Sequence, residues 1–115
     1  MNEKRRLPRK RPDVALHVTD TMTGEVLGHL GNISMEGMLL LAQRPIADDA
    51  LYQFSFHLPD AHGRLYPIEV GVHEQWSAPG TMRGQNWVGF RFVDIAPDDA
   101  GVLRDWLMHA QDFVD

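Results

Sequence analysis

Polar and apolar residues alternate along most of the chain, and the alternation has period two in several places. Val14, Leu16 and Val18 alternate with Ala15, His17 and Thr19; Phe54, Phe56 and Leu58 alternate with Gln53, Ser55 and His57. Ile68, Val70 and Val72 point one way with Glu69, Gly71 and His73 the other, in a run that continues toward Trp76, while Val88, Phe90 and Phe92 repeat the pattern near the end. Each is the signature of a half-buried strand. A further strand is expected over 25–31, through Val26, Leu27 and Leu30, and another over 38–42, the apolar run Met38 to Ala42. The punctuation between them is chemical: Asp20 to Gly24, the Pro45 loop, Pro59 to Gly63, and Ser77 to Gly80 supply turn residues and remove backbone donors.

After Pro97 the period lengthens. Pro97, Asp98 and Asp99 suit the first turn of a helix, by fixed φ and by charge at its positive end, and Leu103, Trp106, Leu107, Ala110 and Phe113 then share one face. The expected fold is therefore mainly β: six antiparallel strands closed into a small barrel, which leaves no exposed edge, with a C-terminal α-helix packed on it. The first three strands form a meander.

The chain has 115 residues, 43% apolar and 23% charged, which suits one domain with a single core. It contains no cysteine, so disulfides, thiolate metal sites and cysteine nucleophiles are excluded. No run approaches the roughly 18 apolar residues of a membrane span, and no apolar segment follows the basic N-terminus, so a soluble, cytoplasmic protein without membrane contact is expected. Charge is unevenly spread. Residues 1–11 hold six of the eleven Lys and Arg against one acid, Glu3, a net of +5; with −5 for the whole chain, the remainder carries −10. An acidic body with a basic tail disfavours general nucleic-acid binding and favours a local anion site.

Two motifs make that site specific. Arg5 and Arg9 form an R-x-x-x-R pair, and after the first strand comes the turn Asn32-Ile33-Ser34-Met35-Glu36-Gly37, an N-x-S-x-x-G sequence. Asn and Ser bond nearby backbone, and Gly37 permits a positive φ or a close approach. The two motifs in this order resemble the signature of PilZ domains, bacterial receptors for cyclic di-GMP, and the run Trp87 to Asp94 followed by a helix is similar to that family's closing strand. The resemblance covers most of the chain. It implies a flexible basic segment over 1–12 carrying the R-x-x-x-R motif, a barrel domain over 13–115, and cyclic di-GMP as ligand.

The residues it assigns to that ligand are Arg5 and Arg9 on phosphate and the guanine Hoogsteen edge, Arg6 beside them, Asn32 and Ser34 on the other base edges, and Gly37 keeping the turn open. The chemistry is consistent, because a guanidinium can fork onto phosphate or O6/N7 and also stack. The family often carries Asp in place of Asn32, which bears on affinity. Arg91 is a further candidate, expected to point outward because Phe90 and Phe92 point in. Trp76 and Trp87 could offer an aromatic face to the ligand, but the preferred reading is that they close the ends of the barrel.

Other chemistry finds little support. Ser34 has no Gly two residues before it and no adjacent base, so it is no nucleophile elbow. His57, Asp60 and His62 cluster only across a turn, without a helix to set a metal-binding face. No catalytic activity and no cofactor are expected; the output is an unidentified effector protein. One alternative is a PilZ-like adaptor in type IV pilus assembly that binds no cyclic di-GMP. Another is a small RNA-binding barrel, which requires aromatics exposed on a strand face, whereas the strand aromatics here are expected to point inward.

Overall fold

The computed structural model describes residues 9–12, 14–60, 62–109 and 113–114. Among the described residues, eight strands and one helix follow in order: β1 (Arg9–Lys10), β2 (His17–Asp20), β3 (Val26–Ile33), β4 (Gly37–Ala42), β5 (Leu51–Pro59), β6 (Leu65–Pro79), β7 (Asn86–Ile95), α1 (Pro97–Met108) and β8 (Phe113–Val114). Six of the strands close a ring, β2-β5-β6-β7-β4-β3 and back to β2, with antiparallel pairing. This is the expected barrel. The meander β2-β3-β4 forms one side of it.

Alternation explains the core. Val18, Leu30, Ile33, Met38, Leu40, Phe54, Phe56, Val70, Val72, Val88 and Phe90 are all buried inside the ring. Each aliphatic or aromatic side chain so placed contributes roughly 1.5–3 kcal/mol. Phe54 and Phe90 meet edge to face across the lumen at 5.0 Å. Helix α1 carries Pro97 in its first turn with Asp98 and Asp99, and buries Leu103, Trp106 and Leu107 against β5 and β6.

Five expectations are corrected. Strand β2 begins at His17, not Val14, which is 61% exposed; the preceding residues connect β2 to the short strand β1, which pairs with β3 through Lys10 and Ile33. The second strand runs on through Asn32 and Ile33, so the turn is shorter than expected, and a bulge between Leu30 and Asn32 resets its register against β4. The helix stops at Met108, and Ala110 lies outside the described residues. Phe113 belongs instead to β8, paired with Lys10 in a two-residue ladder with β1.

The fourth and fifth corrections concern aromatics. Strict alternation along β6 would turn Trp76 inward, but a register shift between Glu74 and Trp76 reverses the facing. Trp76 is 50% exposed on the outer wall and lies over Gly89, where an added Cβ would meet its ring. Trp87 is half-buried on the same wall, against Gly31. Neither closes a barrel end. A glycine opposite each indole leaves room for the ring to lie flat on the sheet.

Candidate functional site

The turn after β3 is tightly organised. Ser34 donates its backbone N–H to the Gly37 carbonyl at 2.9 Å, and its Oγ accepts from Glu36 N–H at 3.1 Å. Ser34 is thereby buried, 2% exposed, with Met35 packed onto the core and Glu36 exposed at the tip. Gly37 does not adopt a positive φ. It starts β4 opposite Arg91, and an added Cβ would strike the Phe90 carbonyl oxygen, so the close-approach reading is the one that applies.

Register places the candidate side chains. Asn32 pairs with Leu39, Leu39 with Gly89, and Gly89 with Trp76, so one row crosses the outer wall over β3, β4, β7 and β6. Three strand spacings span about 14 Å. In the adjacent row Gly37 pairs with Arg91, two residues from Gly89 and therefore on the same face; Arg91 is exposed, as expected. The wall thus offers an amide at one end, an indole lying over Gly89 at the other, a guanidinium alongside, and Leu39 between.

Arg9 completes the amide end. Its Nε donates to Asn32 Oδ1 at 3.0 Å, and one Nη donates to Ser34 Oγ at 3.4 Å. Residues 23 and 25 positions apart in the chain are joined because β1 lies alongside β3. Burial holds the Arg9 guanidinium below its ordinary value, against the smaller opposing effect of the negative charge of Glu36; it remains a cation at any physiological pH. Arg5 and Arg6 lie outside the described residues.

The structure thus joins Arg9, Asn32 and Ser34 directly, and sets Gly37 and Arg91 against each other on the neighbouring strands. Sequence reasoning named Trp76 as a possible aromatic face for the ligand but preferred to place it at a barrel end. The available signal was Gly89, a glycine inside an otherwise bulky strand, which often marks a close approach. Glu36 was missed as the charge facing Arg9.

The histidine cluster has a structural account. Asp60 Oδ1 accepts from the backbone N–H of His62 and of Arg64, both at 2.8 Å, and Oδ2 accepts from Arg64 Nε at 3.3 Å. Its oxygens close the β5–β6 turn. Among the described residues no group of three or more His, Asp or Glu is arranged to hold a metal ion, and no helix is long and apolar enough to cross a membrane.

The profile of the PilZ domain family matches residues 3–109. Comparison with curated proteins gives no match. Among solved structures, the chain is similar to the Bacillus subtilis inhibitor of motility MotI/DgrA, with a TM-score of 0.75 and 16% identity over 93% of this chain and 50% of that one. It is also similar to Escherichia coli YcgR in complex with c-di-GMP, TM-score 0.69 and 16% identity, covering 92% of this chain and 45% of that one. The isolated PilZ domain of YcgR with c-di-GMP superposes with a TM-score of 0.61 and 15% identity over 95% of this chain and 92% of that one. The chain therefore spans about half the length of the first two proteins. At these identities the likeness is one of fold.

Proposed function

Because the chain belongs to the PilZ domain family, we propose that it is a receptor for cyclic di-GMP that signals to a partner protein, with the outer wall around Arg9 and Asn32 as its binding face. The observation that carries this reading is the pair of bonds from Arg9 to Asn32 and Ser34, which brings the two sequence motifs into one site. A cyclic dinucleotide presents two phosphates and two guanines. Arg9 has five N–H donors in a planar fork, enough to keep a bond to Asn32 while turning others to a phosphate or a guanine edge.

Asn32 supplies a further polar contact, the buried Ser34 holds the turn and Arg9 in place behind it, Arg91 adds positive charge on the adjacent strand, and Trp76 supplies an aromatic face at the far end of the row. Gly89 lets the indole of Trp76 lie flat on the sheet, and Gly37 lets β4 and β7 approach closely beside Arg91. In this reading the basic segment 1–12, with Arg5 and Arg6, closes over the ligand, while the barrel domain of 13–115 serves as the fixed platform. Arg9 and Lys10 are already held in β1, and in this reading bonds to the phosphates offset the entropy lost when the rest of the segment closes. The changed surface is what the effector protein reads, and no catalytic step is involved.

Calorimetry with cyclic di-GMP, GTP and a short single-stranded RNA tests the proposal. Selective heat with cyclic di-GMP, abolished by Arg9→Ala, is expected. Preferential binding of RNA would replace the reading with the RNA-binding one; no binding of any of the three by a folded protein would leave the adaptor reading.

A further inference from the structure

Successive strand residues project to opposite sides, and in β1 this separates two cations. Arg9 turns to Asn32 and Ser34 on the outer wall. Lys10, its neighbour, turns the other way and is buried at 8% exposure, with Nζ 3.9 Å from the centroid of the Trp106 ring and donating to the Trp106 carbonyl oxygen at 3.4 Å. Trp106 lies in the last turn of α1, where carbonyls lack partners within the helix and the dipole is negative. That turn has no basic residue of its own. Lys10 supplies the missing charge from a distant part of the chain.

Between α1 and the β5–β6 hairpin lies a cleft of about 490 Å³, whose lining includes Lys10, Trp106, Leu58, Tyr66 and Val102. Lys10 and Trp106 form part of its wall, so a change in their contact changes its shape. The two ends of this arrangement are adjacent in sequence, joined by one rigid peptide bond.

We propose that β1 is a two-sided relay: engagement of Arg9 by ligand on the outer wall is transmitted through Lys10 to Trp106, resetting the end of helix α1 and the cleft beside it. The inference rests on the cyclic di-GMP reading above and adds the route by which binding reaches a second surface. A ligand shifts the relay only if it discriminates between its two settings, and coupling is reciprocal, so a change at Trp106 feeds back on affinity.

The test uses the full chain labelled with 5-fluorotryptophan. Its three tryptophans give three fluorine resonances, assigned by single Trp→Phe substitutions. Cyclic di-GMP is titrated with calorimetry in parallel. The expected result is that the Trp106 resonance moves with the same midpoint as the heat, that Lys10→Met retains the heat but loses at least half of the Trp106 shift, and that Lys10→Arg, which also stacks on an indole, restores it. Heat with a stationary Trp106 resonance overturns the relay and leaves the receptor reading standing; so does a full Trp106 shift in Lys10→Met. Absence of heat from folded protein refutes the receptor reading itself. Arg9→Ala without ligand then decides the relay: a moved Trp106 resonance supports the link from Arg9 to the helix, and an unmoved one overturns it.

Discussion

Replacing Asn32 by Asp tests how this face reads a base, and the structure sets the competing magnitudes. Asn32 Oδ1 already accepts from Arg9 Nε at 3.0 Å in a half-buried setting. A carboxylate there becomes an ion-pair partner. Two unit charges about 4 Å apart at an effective dielectric near 20 attract by about 4 kcal/mol before desolvation, yet exposed pairs realise only about 0.2–1 kcal/mol. With Arg9 half-buried, a net gain of about 0.5–1 kcal/mol in the free protein is expected, or roughly 2–5 °C in Tm for a domain of this size.

The carboxylate keeps a second oxygen for the ligand, with roughly four acceptor sites in all, and can accept from guanine N–H groups in charge-assisted bonds worth about 1.5–3 kcal/mol against about 1 for neutral ones. Repulsion by the ligand phosphates opposes this and Arg9 screens it. Binding is expected to tighten by up to about tenfold, roughly 1.4 kcal/mol. Arg9 also holds the new carboxyl below its ordinary pKa of about 3.9. A depressed folded-state value means that the added stability is complete above the unfolded pKa and is lost as pH falls through the folded one. Urea denaturation at pH 7 and pH 3 and calorimetry at pH 7 measure the two effects, with Asn32→Ala as control. If the Asn32→Asp variant is neither more stable nor tighter in binding, and the Asn32→Ala variant binds as well as the unmodified chain, the side chain reads no base and the reasoning fails.

Four further outcomes are expected. Arg9→Lys weakens cyclic di-GMP binding nearly as much as Arg9→Ala in calorimetry, because a point charge cannot form the planar fork that reaches both Asn32 and Ser34; binding like wild type would reduce Arg9 to a simple charge. Gly37→Ala costs about 1–3 kcal/mol in urea denaturation, since the new methyl meets the Phe90 carbonyl across the ladder. Glu74→Ala costs about 1–3 kcal/mol by the same assay, because this buried carboxylate accepts from Asp49 N–H at 2.7 Å and Ser77 Oγ at 3.0 Å and both charge-assisted bonds are lost. The logarithm of ligand affinity falls with the logarithm of salt concentration with a shallow slope, as only two phosphates are neutralised; a slope demanding many ion contacts would favour RNA as ligand.

Local pattern was sufficient for the barrel because its strands bury alternate residues, and period two is visible in Phe54–Phe56–Leu58 or Ile68–Val70–Val72 without knowledge of partners. The helix start was legible in Pro97-Asp98-Asp99 for the same reason, its signals being local. Its end was not. The chain leaves the helix at Met108 and joins β1, a pairing between residues about a hundred positions apart that no local signal encodes. Period-based reasoning also failed at the β6 bulge, since one register shift reverses the facing of every residue after it, Trp76 included.

The candidate site divides along the same line. By itself, the sequence determined the chemistry available, namely a basic segment ending in Arg9-Lys10-Arg11, a polar turn from Asn32 to Gly37, and a glycine at 89 inside a strand of bulky residues. It also determined that Arg91 faces outward, because Phe90 and Phe92 must face in. Only the tertiary structure decided that Arg9 bonds Asn32 and Ser34, that Trp76 shares their outer row, and that Lys10 reaches Trp106. These are relations between strands. Which residues become neighbours across a closed sheet depends on registers set by core packing and bulges around the whole ring, and no stretch of sequence carries that information alone.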